Sequence, residues 1–230
     1  MFGTFVNTLA IIGGSLLGLL FRGGIPGSYS TTIIQSVGLS VILVGLKGAL
    51  KAEDLLLVIF SLAVGSVAGE LLKIEARLQA MGNWLESRFS GTDSGISQGF
   101  VTASLIFCVG SMAIVGSMES GLTGQHQTLF AKSVLDGITS VIFASTLGIG
   151  VIFSAGSVLL YQGIITIGAS LLKPFLIPEV IAQMSAVGGL LIMAIGINLM
   201  EIKQIKVGNM LPGIFMPLFF FMAKQLWSYI

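Results

Sequence analysis

Long apolar runs separated by short polar breaks set the rhythm of this chain, and the runs have membrane-spanning length. Phe2 to Phe21 is a run of 20 residues without a charge, enough for a helix across ~30 Å of hydrocarbon. Arg22 and the turn Gly23–Gly27 close it. The same pattern predicts helices over about Thr31–Leu50, Leu55–Leu72, Phe100–Met118, Val180–Met200 and Met210–Trp227, with Pro212 and Pro217 interrupting the start of the last. Ser133–Leu172 holds 40 residues with Asp136 as its only charge. That is barely room for two spans of ~20 residues each. One helix of that block is therefore expected to be short, broken or re-entrant, with a turn near Ser154–Ser157. The pattern predicts an all-α membrane protein of seven or eight transmembrane helices, closely packed through glycine.

Lys73–Gly99 is the one substantial polar stretch, carrying Lys73, Glu75, Arg77, Glu86, Arg88 and Asp93. Within it Ile74, Leu78, Met81 and Leu85 recur at helical spacing. The spacing predicts an interfacial amphipathic helix or an extension of the third span, followed by a flexible loop at Ser90–Gly95. The chain then reads as a single membrane domain, 1–230. It has an N-terminal three-helix half (1–72), a polar connector (73–99) and a C-terminal half (100–230) built around a polar segment at 110–150.

Composition strengthens this picture. The chain is 54% hydrophobic and 9% charged, with mean hydropathy +1.01, whereas a soluble domain carries about 25% charged residues. The lipid bilayer is thus its first partner. A net charge of +1 gives no basic face for nucleic acid. The single cysteine, Cys108, excludes an intramolecular disulfide and any Cys-cluster metal site. No basic n-region or small-residue cleavage site marks the first segment, which is expected to stay as a helix. Orientation is less well marked. For eight spans with an extracytoplasmic start, six basic residues (Arg22, Lys73, Arg77, Arg88, Lys203, Lys206) fall inside and five (Lys47, Lys51, Lys132, Lys173, Lys224) outside. That is too even for the positive-inside rule, and the polar connector is assigned to the cytoplasm.

Two pairs of segments echo each other. Ile12–Leu17 (IGGSLL) matches Ile167–Leu172 (IGASLL), and Gly38–Gly45 (GLSVILVG) matches Gly189–Gly196 (GLLIMAIG), at offsets of 155 and 151. Helices one and two would then recur five spans later. An odd shift means copies inverted in the membrane, as in many secondary transporters.

Polar groups inside the apolar runs are the candidate chemistry. Asp136 stands first, because a charge inside a helix costs roughly 2.5–3.5 kcal/mol on insertion scales and so usually faces protein or water. Ser133, Asp136, Ser140 and Ala144 share one helical face, able to offer oxygen ligands to a cation; the plainer alternative is an i, i+4 pair with Lys132. Glu119 and His126, seven residues apart, could relay protons or gate a mouth, or be a solvated loop. Glu70, one turn from Lys73, reads as a site candidate or a surface ion pair. Asn7 is a polar group on the first helix that can hydrogen-bond across helices. Ser117 or Ser120 with His126 would be the nucleophile and base of a hydrolase. No cofactor motif appears, and the donor set does not name a metal.

The segments Phe107–Gly124 (FCVGSMAIVGSMESGLTG) and Ala131–Val151 (AKSVLDGITSVIFASTLGIGV), together with Gly3–Gly18 and Val64–Leu78, resemble the bacterial membrane proteins grouped as domain of unknown function 554. The resemblance spans nearly the whole chain. It implies a multi-pass protein of the bacterial cytoplasmic membrane and carries over no site residue. The expectation is a transporter or channel for a small ion or polar solute, a cation or proton-coupled substrate favoured, rather than an enzyme. A membrane scaffold is the alternative, an intramembrane hydrolase a more distant one, and a homo-oligomer is compatible with each.

Overall fold

The structure, a computed structural model, describes residues 1–22, 27–89, 96–109 and 111–227. Among these residues every regular element is helical: α1 (Phe2–Arg22), α2 (Gly27–Ala49), α3 (Leu55–Leu72), α4 (Ile74–Phe89), α5 (Ile96–Cys108), α6 (Ser111–Leu122), α7 (Gln127–Leu147), α8 (Gly150–Leu172), α9 (Pro178–Leu199), α10 (Val207–Met210), a 3-10 turn (Leu211–Phe215) and α11 (Met216–Trp227). Six stretches are long and apolar enough to cross a membrane: α1, α3, α7, α8, α9 and Val207–Gln225. The pair formed by α5 and Met112–Leu122, bent by 61°, is either a seventh, broken span or a re-entrant loop. The apolar part of α2, Ile34–Ala49, is shorter. The expected turn at Gly23–Gly27 (apart from Gly27) and the loop at Ser90–Gly95 lie outside the described residues.

Local chemistry explains the helix ends. The Asp54 side chain caps α3 by accepting from Leu57 N at 3.1 Å. Lys73 follows α3 in the left-handed region (φ 51°), so α4 is a helix in its own right rather than an extension of the third span. Pro178 opens α9 at the first turn, where its missing N–H is no loss.

The break expected within Ser133–Leu172 falls elsewhere. Because α7 starts at Gln127 rather than Ser133, α7 and α8 reach 21 and 23 residues, both full spans. A rule based on charge-free runs stops at Lys132, which instead lies inside α7, buried and paired with Asp136. The chain turns at Gly148 (φ 84°), a conformation open to glycine. Ser154 and Ser157 lie inside α8, and Ser154 Oγ donates back to Val151 O at 2.6 Å. The interruption lies instead in the region expected as one helix over Phe100–Met118, which forms α5 and α6.

The residues divide into two compact units, each assembled from separate stretches of the chain. The first comprises Met1–Ser36, Ala76–Cys108 and Met112–Ser170; the second comprises Val37–Glu75, Val109–Ser111 and the chain from Leu171 on. In the first unit α1 lies parallel to α7, with Gly3 against Leu129, Gly14 against the Gly137 carbonyl and Gly18 against the Val141 carbonyl. A Cβ at Gly14 would strike that carbonyl, so the two backbones touch, as small residues allow in membrane helices. The other face of α1 exposes Phe2, Phe5, Leu9, Leu16 and Leu20, a surface suited to lipid. Gly116 against Leu129, and Ser120 beside His126, set α6 antiparallel to the start of α7.

In the second unit α2 and α9 run antiparallel, Gly38 meeting Gly196 and Gly45 meeting Gly189. These are the glycines of the two echoed segments. α3 buries Val58, Ser61, Gly65 and Gly69. Gly65 rests on Gly213 and Gly69 on Asn209, which brings the 3-10 turn and α10 against α3. Leu56, Ile59, Phe60, Val64 and Val67 face outward.

Candidate functional site

The acid singled out from the sequence sits in the α1–α7 seam. Asp136 is 6% exposed and Lys132, one turn before it, 7%. Lys132 Nζ lies 2.9 Å from Asp136 Oδ1 and 2.8 Å from Oδ2. From α1, Asn7 Nδ2 donates to Asp136 Oδ2 at 2.9 Å. The i, i+4 pair anticipated as the plainer alternative therefore forms, but inside the protein. Asn7, an independent candidate in the sequence, belongs to the same group. Its Oδ1 is buried without a hydrogen-bond partner.

Ser133 and Ser140 share the buried face of α7, yet their hydroxyls serve their own helix. Ser133 Oγ donates to Leu129 O at 2.6 Å and Ser140 Oγ to Asp136 O at 2.7 Å. They keep the seam narrow and polar rather than reaching the carboxylate. An open, apolar groove of about 530 Å³ runs beside them, lined by Val6, Ala10, Leu17, Phe130, Val134 and Ile138 among others.

Glu119 and His126 come to the same α6–α7 turn, each with its own partner. Thr128 Oγ1 donates to Glu119 Oε2 at 2.6 Å, and His126 Nδ1 lies 3.0 Å from Ser120 Oγ. The imidazole packs between Phe2 and Phe130, at ring distances of 5.8 and 5.9 Å. Gly124 (φ 69°) makes the turn. Ser117 is fully buried, and its hydroxyl has no partner.

Glu70 belongs to the second unit, apart from the residues above. It was expected to pair with Lys73. Instead Asn209 Nδ2 donates to Glu70 Oε2, and Lys206 Nζ lies 3.3 Å from Oε1 with both side chains largely exposed. Lys73, turned into the left-handed region, leads the chain into α4. Asn209 also accepts from Glu75 N at 2.7 Å, and Glu75 Oε2 accepts from Gly208 N at 2.7 Å. This network ties the end of α3 to α10. Asn209 was not anticipated, because it lies 139 residues from Glu70.

Further buried polar groups escaped the sequence reading. Thr4 and Gln162 are 0% exposed and Thr166 is 6% exposed. Their side-chain polar atoms, including both amide atoms of Gln162, have no hydrogen-bond partner. The available signal was an amide in the middle of an otherwise apolar span. No cluster of three or more His, Cys, Asp or Glu side chains suited to a metal occurs among the described residues.

A set of long apolar helices with buried polar groups at their glycine seams defines a polytopic α-helical membrane protein. The chain belongs to the family described as Protein of unknown function (DUF554), which matches residues 2–222. It is similar to the uncharacterized membrane protein YdfK of Bacillus subtilis (strain 168), 34% identical over 221 residues and 94% of each chain. It is also similar to the uncharacterized protein YqgA of Escherichia coli (strain K12), 32% identical over 217 residues and 92% of each chain. No solved structure matches it.

Proposed function

We propose that this protein is a transporter or channel of the bacterial cytoplasmic membrane for a small ion or polar solute, with a cation or proton as the favoured coupling species. The observation that carries the reading is the buried Asn7–Lys132–Asp136 group. Charges at such depth are costly, and in membrane proteins they mark ion paths and proton relays. An apolar trio of similar volume would pack the seam at no less stability, so packing alone gives no reason for the charges. In the mechanism, a proton or cation competes with Lys132 for Asp136. Once displaced, Lys132 loses its counter-charge and the α1–α7 seam must rearrange. Glu119 and His126, both partly exposed at the α6–α7 turn, stand at one mouth.

The echoed segments support the same reading. A two-fold axis that carries Gly38 onto Gly189 and Gly45 onto Gly196 exchanges the contact Gly38–Gly196 with Gly189–Gly45. Both contacts are present. Antiparallel packing of α2 on α9 is thus what inverted copies would produce, and such repeats underlie alternating access in many transporters.

The test is flux into proteoliposomes driven by a proton or sodium gradient, with wild type beside Asp136→Asn. A fall of at least about tenfold is expected, in line with the cost of an unmatched charge in a membrane helix. Unchanged flux removes Asp136 from the mechanism.

Two other readings each have one observation in their favour. A membrane scaffold is supported by the closed Lys132–Asp136 pair, whose neighbouring groove is apolar. An intramembrane hydrolase is supported by the 3.0 Å approach of Ser120 to His126. The acid nearest in sequence, Glu119, is engaged by Thr128 and does not orient the imidazole. Full function in His126→Ala would dispose of the hydrolase.

A further inference from the structure

A second buried polar cluster lies in the first unit, one helical turn along α1 from Asn7. Three contacts fix where α1, α6 and α8 meet. The Met1 amino group is 3.4 Å from Ser120 Oγ, Met1 Cε lies 3.4 Å from where a Gly163 Cβ would be, and the Thr166 carbonyl abuts Gly121.

Moving one turn inward from this junction on each helix reaches a polar side chain. On α1 it is Thr4, three residues past Met1. On α6 it is Ser117, four residues before Gly121. On α8 it is Gln162, four residues before Thr166. The directions agree, because α6 is antiparallel to α7, α7 is parallel to α1, and α8 runs back along α1, from Gly148 beside Arg22 to Gly163 beside Met1. Thr4, Ser117 and Gln162 are each 0% exposed. Their hydroxyl and amide atoms, and the Thr166 hydroxyl beside them, have no hydrogen-bond partner.

A buried amide left unpaired on both its donor and acceptor sides is a heavy penalty in a chain that could hold Leu there. A ligand relieves it, and the chemistry of the cluster selects the class. Hydroxyls donate and accept, the amide does both, and none of the four carries a formal charge. Of the charges in this region, Lys132 and Asp136 neutralise each other, and the Met1 ammonium is engaged by Ser120 at the outer end of the junction. A charged ligand would be buried without compensation.

We infer that Thr4, Ser117, Gln162 and Thr166 form a binding site for a small uncharged solute bearing hydrogen-bond donors and acceptors, of the amide or polyol kind. The inference rests on the transport reading and deepens it: Asp136 is the coupling site, and Gln162 anchors the cargo. Water shares this chemistry, and a closed pocket holding only structural water is the competing source.

Cysteine accessibility separates the two. In the full chain carrying Cys108→Ser and Ser117→Cys, reconstituted in proteoliposomes, position 117 is challenged with uncharged methyl methanethiosulfonate and with a cationic trimethylammonium-ethyl analogue. The uncharged reagent is expected to label the cysteine. The cationic one is expected to label at least about tenfold more slowly, and acetamide or glycerol at high concentration to slow the uncharged reaction. In parallel, acetamide and glycerol entry in wild type should exceed that of protein-free vesicles and fall at least about tenfold in Gln162→Met, which keeps the volume but not the hydrogen bonds.

An inert cysteine 117 would mean a sealed, water-filled pocket and overturn the inference. So would equal labelling by the two reagents, or acetamide and glycerol entry no faster than in protein-free vesicles. If gradient-driven ion flux remains sensitive to Asp136→Asn while these arms fail, the cargo site is lost and the transport reading stands. If acetamide or glycerol enters through Gln162 while Asp136→Asn changes nothing, the cargo site stands and the coupling role of Asp136 falls.

Discussion

Asp136 accepts from two helices at once, Lys132 on its own and Asn7 on α1, so its partners are unequal in what their loss exposes. Lys132→Met leaves an uncompensated carboxylate in the seam and should destabilise by ~3–5 kcal/mol. Asn7→Leu removes one hydrogen bond to a charged acceptor and should cost about 1.5–3 kcal/mol. The double variant Lys132→Met with Asp136→Leu removes both charges, and most of the single-variant loss should return. Unfolding in detergent micelles, with the single Asp136→Leu measured beside them, gives all four values; a double variant as unstable as the sum of its singles would mean the pair is not coupled. Two of the three members of this group were linked in the sequence, because Lys132 and Asp136 are neighbours by helical geometry. Asn7 lies 129 residues from Asp136, and no spacing rule joins them. Gln162 was missed for a different reason. A charge in an apolar run draws attention by its insertion cost, whereas an uncharged amide leaves hydropathy almost unchanged, and its isolation is apparent only when partners can be counted.

The α1–α7 seam shows how helix contact sets that geometry. A side chain at Gly14 would meet the Gly137 carbonyl, while Gly13 has nothing within 4 Å. Gly14→Val should therefore force the helices apart, cost at least about 1–3 kcal/mol from overpacking, and weaken the Asn7–Asp136 hydrogen bond with it. Gly13→Val should be close to neutral. The readout is the coupling energy between Asn7→Leu and Asp136→Asn in each background, expected to vanish with Gly14→Val and to survive Gly13→Val. Loss in both backgrounds would mean that the seam is not what aligns the two side chains. At this scale the apolar pattern found α3 to the residue and placed the proline-interrupted last span correctly. It misjudged α7 because it stopped at the charge of Lys132, which the fold buries inside the helix, and it ran α5 and α6 together because charges were absent where backbone direction changes. Hydropathy records what a segment contacts, and a bend alters direction without altering that contact.

For the whole molecule, the direction of α7 counts the crossings before it. α1 and α7 are parallel, so an odd number of spans lies between them. α3 is one, long and apolar enough to cross on its own. The others are α2 and the α5–α6 pair, and both cross or neither does. α2 runs antiparallel along α9, itself a spanning helix, from Gly38 to Gly48. That contact covers about half of the ~30 Å hydrocarbon thickness, and we predict that α2 crosses the bilayer beside α9. With α2 crossing, parity makes the bent pair a full crossing; without it, a re-entrant loop. The predicted total is then eight, the upper of the two counts expected from the sequence: α1, α2, α3, α5 with α6, α7, α8, α9, and the stretch that ends in α11. With eight crossings both termini are expected on one side and, after three, α4 on the other; the even split of Lys and Arg does not decide this. Reporter fusions active on only one side of the membrane, placed at either terminus and after Phe89, should give the same state at both ends and the opposite state after α4. Opposite states at the two ends would require a re-entrant α5–α6 pair or a non-crossing α2, and would break the inverted relation between the echoed segments, since their odd separation depends on both being true spans.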